Sequence, residues 1–256
     1  MSNLLLTNSF LFSTGLMAGA LSGIAGGGGF ITFPVLLLTG INPIIANATN
    51  NTALFIGYLG GIKVYSKEYS FKPDKLKIIF FSMLGSCIGS MTVLYISPSS
   101  FKSLIPWLLL LSTIIFSFSK QINKVISNIE KNILSPELLN KFLVFLQILV
   151  GIYGGFYGGG QGVLILSLLS LLGFKNIFKI NAYKILLCAC INGIAVIIFW
   201  FSNVIVWEPT LIMAVGTVLG NYLIASYGSK FDPNYVRKFI ISISSIITAI
   251  SFFKSF

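Results

Sequence analysis

Two glycine blocks are the places in this sequence that can do chemistry. Gly23-Ile24-Ala25-Gly26-Gly27-Gly28-Gly29 lies inside apolar sequence, and Gly151-Ile152-Tyr153-Gly154-Gly155-Phe156-Tyr157-Gly158-Gly159-Gly160-Gln161-Gly162 repeats it in register. Gly19 and Gly23 answer to Gly151 and Gly155, and Gly26, Gly27 and Gly28 to Gly158, Gly159 and Gly160. Glycine in a helix interior costs roughly 1 kcal/mol relative to alanine, so both blocks predict broken helices. A break leaves free backbone amides and partial positive charge at the start of the next helix. Two such starts meeting inside an apolar medium form an anion site without any charged side chain. Asn47, Thr49 and Asn50 on one side, and Asn181 and Lys184 on the other, supply further donors. The candidate substrate-binding residues are therefore Gly26, Gly27, Gly28, Gly29, Asn47, Thr49, Asn50, Gly158, Gly159, Gly160, Gln161, Asn181 and Lys184.

Other chemistries lack their residues. All six acids (Glu68, Asp74, Glu130, Glu137, Glu208 and Asp232) fall in loops or at span ends, and there is no histidine. No span is read as holding a central Lys or Arg, so an intramembrane proton relay is not expected. No catalytic dyad or metal cluster is present, so neither an enzyme nor a cofactor is expected. Cys87, Cys188 and Cys190 read as small core residues. A dinucleotide fingerprint needs a preceding strand and a following acid, and neither is present. Simpler uses compete for the same residues. Gly85–Gly89 and Gly216–Gly220 read as close helix packing. Asn47 and Asn181 can serve as helix caps, and Lys184 as an interfacial anchor.

The elements that position these groups follow from composition. The chain of 256 residues is 55% hydrophobic and 9% charged, where a soluble domain carries about 25% charge. Charge-free runs of roughly 20 residues recur, which predicts an all-α, polytopic helical membrane protein. The net charge of +11 points to cytoplasmic loops in a lipid bilayer rather than to nucleic acid. No Lys or Arg precedes Lys63, so the apolar N-terminus is read as part of the fold rather than as a signal peptide. Spans are expected at Ile44–Ile62, Ile78–Ile96, Leu104–Ser119, Ile185–Phe201, Thr210–Tyr227 and Phe239–Phe253. Broken units are expected at Leu4–Gly40 and Phe142–Leu172, a basic loop at Lys63–Lys77 and a basic turn at Gly173–Lys184.

The echo extends past glycine. Asn47-Ala48-Thr49-Asn50 answers Asn181-Ala182-Tyr183-Lys184, and Ser97-Pro98-Ser99-Ser100-Phe101-Lys102 answers Asp232-Pro233-Asn234-Tyr235-Val236-Arg237. This predicts a first repeat over 1–119, a cytoplasmic linker over 120–141 and a second repeat over 142–256. If each glycine unit enters and returns on one side, 15 of the 17 basic residues fall inside, leaving Lys102 and Lys254 outside. That topology puts both termini outside, inverts the halves, and brings Trp107, Trp200 and Trp207 to the outer interface of the cell (inner) membrane.

These motifs resemble the sulfite exporter TauE/SafE family. The resemblance rests on Gly19-x-x-x-Gly23-x-x-Gly26-Gly27-Gly28-Gly29 with Pro34 and Ala46-x-x-Thr49, on the second copy from Gly151, and on the Pro-x-x-x-Lys/Arg segment closing each half. It implies two related halves of several helices and transport of small, often sulfur-containing anions. The chain departs from the family's Ala-x-x-Thr-Ser pattern at Asn50, Tyr183 and Lys184, and Gln161 interrupts the second glycine run. The expected function is a carrier exporting a sulfite- or organosulfonate-type anion by alternating access. The alternatives are an anion channel on the same bundle and a non-transporting membrane scaffold. A homo-oligomer is left open.

Overall fold

The structure is a computed structural model that describes residues 2–69, 73–132, 136–171, 174, 176–227 and 233–253. Its order is α1 Ser2–Ala25, α2 Gly29–Leu38, α3 Pro43–Val64, α4 Pro73–Tyr95, α5 Pro98–Asn132, α6 Pro136–Phe156, α7 Gln161–Leu171, α8 Ile177–Phe201, α9 Trp207–Tyr227 and α10 Pro233–Phe253. Among the described residues there is no strand. Pro43, Pro73, Pro98, Pro136 and Pro233 each open a helix, where the ring's fixed φ suits the first turn and the missing N–H has no intrahelical partner to lose.

The helices wear their apolar side chains outward. On α4, Phe80, Leu84, Ile88 and Met91 are exposed while Ser82, Gly85, Ser86, Gly89 and Ser90 are buried. On α9, Leu211, Val215 and Leu219 face out while Gly216, Thr217, Gly220 and Asn221 face in. This reverses the pattern of a water-soluble bundle and fits lipid as the surrounding solvent, where small residues let backbones approach. Among the described residues, Lys75–Tyr95, Phe178–Phe201 and Trp207–Tyr227 are long and apolar enough to cross a membrane. The expected all-α helical membrane architecture is what the chain adopts.

Each half runs through a broken pair, then three helices. The packing exchanges partners between halves: α1 lies on α9, and α6, which follows the same place in the order, lies on α4. Glycines make both contacts. A Cβ on Gly216 or Gly220 would strike the Phe12 or Leu16 carbonyl of α1, and one on Gly85 or Gly89 would strike the Ile148 or Ile152 carbonyl of α6. From the opposite side, Gly15 and Gly19 meet Met213 and Thr217, while Gly151 and Gly155 meet Ser82 and Ser86. The glycine pairs read as packing devices thus face the flanks of the two broken helices, and each contact runs parallel.

Two apolar clusters divide the core. One joins Leu11 of α1 and Phe33, Leu36 and Leu37 of α2 to Val93, Phe101, Ile105, Phe199 and Tyr157. The other joins Leu143 and Val150 of α6 and Ile165, Leu168 and Leu169 of α7 to Leu54, Tyr58, Ile180 and Ile185. Both helices of each broken unit therefore contribute to the same cluster.

Two boundaries differ from the sequence reading. The stretch read as a basic turn ending at Lys184 is largely helix, because α8 already begins at Ile177 with Asn176 as its cap. Asn176 Oδ1 accepts from the Phe178 and Lys179 amides, at 2.9 and 3.3 Å. Lys184 thus stands two turns inside a helix that also qualifies as a membrane span, where the sequence reading placed it at the inner end of one. Likewise α5 continues to Asn132, through part of the stretch read as linker.

Gly89→Leu and Gly220→Leu are expected to destabilise the fold by about 1–3 kcal/mol each through overpacking. Thermal unfolding in detergent should show lower midpoints for both and little change for the lipid-facing Leu84→Ala and Leu219→Ala. Equal effects at all four sites would rule out the parallel glycine contacts.

Candidate functional site

The breaks occur at matching residues. Gly26 has φ 74° and Gly158 φ 76°, a left-handed backbone that only glycine adopts cheaply. Before the break, the Gly26 amide donates to the Leu21 and Ser22 carbonyls at 3.1 and 3.0 Å, and the Gly158 amide to the Tyr153 carbonyl at 3.2 Å. After it, the Phe30 and Ile31 amides bond back to Gly27 and Gly28 at 3.1 and 3.0 Å, and Val163 bonds back to Gly160 at 3.0 Å. Gly29 and Gln161 are the first residues of α2 and α7. The second break differs in one respect: Gly160 is also left-handed, at φ 74°, where Gly28 is right-handed at −57°.

The two helix starts touch. A Cβ on Gly29 would stand 3.0 Å from the Gly159 Cα, and one on Gly26 would collide with the Gly162 backbone. Starts of helices carry partial positive charge and amides without intrahelical partners. Their meeting concentrates that charge in a site closed from solvent, with Gly26–Gly29 and Gly158–Gly160 all buried.

Around the breaks lies a belt of buried polar side chains. Asn47, Thr49, Asn50, Asn51, Gln161, Lys184 and Asn192 are all fully buried. The Thr32 hydroxyl is shared between the Gly28 carbonyl, at 3.1 Å, and Asn50 Oδ1, and the Asn50 amide nitrogen faces Gly29, where it has no partner. Asn47 Nδ2 donates to the Phe156 carbonyl at the end of α6, at 2.9 Å. Gln161 Nε2 donates to Asn192 Oδ1 at 2.6 Å. Tyr153 Oη donates to the Gly159 carbonyl at 2.6 Å. Lys184 Nζ donates to the Gly23 carbonyl in the last turn of α1, at 2.7 Å. Among the described residues no carboxylate pairs with that ammonium.

Two candidates stand apart. The Thr49 hydroxyl accepts from the Val206 amide at 3.2 Å, pinning the turn between α8 and α9 to α3. Asn181 is half-buried on the second turn of α8. Neither Asn47 nor Asn181 is a cap, since Asn42 and Asn176 hold those places. Asn51, Asn192 and Tyr157 were missed. Asn192, alone among apolar residues in mid-span, carried a readable signal, because a lone amide in such a place needs a partner. Tyr157 carried none: its ring sits edge-on to Phe33 at 5.3 Å, and its buried hydroxyl has no partner.

Comparison with known proteins agrees with this architecture. The family described as Sulfite exporter TauE/SafE matches residues 11–251. A "Probable membrane transporter protein" of Haemophilus influenzae is 29% identical over 243 residues, covering 94% of this chain and 92% of that one. The "Probable membrane transporter protein YfcA" of Escherichia coli K12 is 28% identical over 246 residues, covering 93% and 87%. "Probable membrane transporter protein ORF9" of a Sinorhizobium species is 26% identical over 238 residues, covering 92% and 88%. No solved structure matches.

A buried ammonium held by one carbonyl is expensive, because removing a charge from water costs more than a neutral hydrogen bond returns. Lys184→Met is therefore expected to melt at or above the wild-type temperature, by up to about 2 kcal/mol of added stability. Unfolding of the variant would show instead that the lysine is a structural necessity.

Proposed function

The chain belongs to the sulfite exporter TauE/SafE family, and from that premise we propose that it carries a small sulfur oxyanion outward by alternating access. The observation that carries this reading is the contact between the starts of α2 and α7, at Gly29 against Gly159 and Gly26 against Gly162. A sulfite or sulfonate group offers several acceptor oxygens and no donor that the site must match. Helix-start amides and the unpaired Asn50 nitrogen are donors only, so they suit such a group and reject cations. The two halves are inverted in this proposal. Both termini lie outside the cell membrane, and the basic loops lie inside.

Alternating access consists of the broken units and their glycine-packed partners rocking against the rest of the bundle, exposing the meeting point to each side in turn. Lys184 contributes attraction. Its ammonium is within reach of the first break through Gly23, and an arriving anion competes with that carbonyl for it. A cell-negative potential favours anion exit by roughly 2.3 kcal/mol per charge per 100 mV.

The test is flux of sulfite and short sulfonates in proteoliposomes under an imposed potential. Saturable, potential-dependent flux is expected. Asn50→Leu should lower it about tenfold or more, the loss of one hydrogen bond to a charged group, and Lys184→Met should do the same without lowering the melting temperature. Absence of potential-dependent flux for every small anion would refute the reading. Flux that never saturates would make the chain a channel.

A further inference from the structure

The broken helices have negative ends as well as positive ones. The last carbonyls of α1 and α6 carry partial negative charge just before each break. In the first half a cation already sits there, the Lys184 ammonium on the Gly23 carbonyl. In the second half the corresponding end belongs to α6. The residue that answers Lys184 in the repeat is Asn50, which is engaged by the Thr32 hydroxyl. Among the described residues no lysine is bonded to the end of α6.

Two hydrogen-bond relays converge on that end, and both terminate in an oxygen. In the first, the Phe156 carbonyl accepts from Asn47 Nδ2 at 2.9 Å, and Asn47 Oδ1 accepts from Asn51 Nδ2 at 3.3 Å. That leaves Asn51 Oδ1 buried without a partner. In the second, the Asn51 carbonyl accepts from Asn192 Nδ2 at 3.5 Å, and Asn192 Oδ1 accepts from Gln161 Nε2 at 2.6 Å. That leaves Gln161 Oε1 buried without a partner. Each relay is anchored on a backbone carbonyl, which only accepts, so neither terminal amide can be flipped without breaking the chain. Both orphan atoms are thus acceptors.

They also border the same stretch of backbone. Asn51 Oδ1 lies against the point that a Cβ on Gly158 would take, and the Gly154 carbonyl lies 3.2 Å from that point. Gln161 Oε1 lies against the point that a Cβ on Gly154 would take. Glycine at 154 and 158 leaves the room these oxygens use. Acceptors at a helix's negative end repel an anion and call for a cation. Among the described residues no group of acids, histidines or cysteines could hold a divalent metal, and neutral oxygens alone suit a monovalent ion.

We propose that a monovalent alkali cation binds at the end of α6, held by Asn51 Oδ1, Gln161 Oε1 and the Gly154 carbonyl. It stands by the end of α6, as the Lys184 ammonium stands by the end of α1. The cation and the anion then occupy opposite faces of the same break, and each lowers the electrostatic cost of the other. The site does not depend on which anion is carried.

The purified full-length chain in detergent provides the test, with thermal unfolding followed as sodium gluconate replaces N-methylglucamine gluconate at constant ionic strength. The wild type is expected to show a saturable rise in midpoint with Na⁺, absent for N-methylglucamine, with K⁺ run in parallel to rank the alkali ions. Gln161→Leu should abolish the rise. Asn51→Asp, which places a charge at the site, should lower the half-saturating concentration at least tenfold. An identical midpoint in all three salts would overturn the proposal and leave a buried water as the occupant. So would a full rise in Gln161→Leu, or an unchanged half-saturation in Asn51→Asp, which decides the matter should the leucine variant fail to fold. No transport is measured, so failure here leaves the anion reading standing, and absence of flux leaves the cation site standing.

Discussion

A helix broken inside a bilayer must find partners for the amides and carbonyls it releases, because the hydrocarbon offers none. Much of this chain is organised around that requirement. Asn47 reaches from α3 to the Phe156 carbonyl, Tyr153 closes on Gly159, and Lys184 reaches from α8 to Gly23. Asn47 and Lys184 each serve the break of the opposite half, so neither half completes its own broken unit. The glycine contacts of α1 with α9 and of α6 with α4 are the packing counterpart of the same exchange. They bring backbone against backbone, so the broken helices are held along their length even where their ladders are cut.

The requirement also sorts charge. Helix starts gather where α2 and α7 meet, and helix ends lie just behind them. The donors left over, such as the Asn50 nitrogen, lie by the starts, and the acceptors left over, Asn51 Oδ1 and Gln161 Oε1, lie by the end of α6. A site built from backbone and neutral amides keeps the number of buried ionisable groups low, with Lys184 the one fully buried lysine, arginine or acid among the described residues. That lysine has no partner of opposite charge among the described residues and donates to the Gly23 carbonyl.

The sequence displayed the breaks well, because glycine has few other reasons to recur in register inside apolar runs. Gly26 and Gly158 take the same left-handed backbone, and α2 and α7 start at corresponding residues. The helical membrane class was equally plain from composition. What pattern reading mishandled was the start of α8. Lysines at 175, 179 and 184 look like a loop under the positive-inside rule, whereas Asn176 caps a helix there and carries Lys184 into the interior. The partners of the amides were out of reach for a different reason. Asn51 and Asn192 are 141 residues apart, and no local period reports which buried amide faces which. Thr49 accepts from the Val206 amide at the turn between α8 and α9, a contact that no local pattern announces.

Two breaks far apart in sequence are proposed to form one anion site. An electron cryo-microscopy map of the chain in lipid nanodiscs with and without sulfite tests it most directly. Density is expected for one anion between Gly29 and Gly159, within hydrogen-bonding distance of the Asn50 nitrogen, present only with sulfite. Starts of α2 and α7 that stand apart, or sulfite bound elsewhere with the breaks empty, would contradict it.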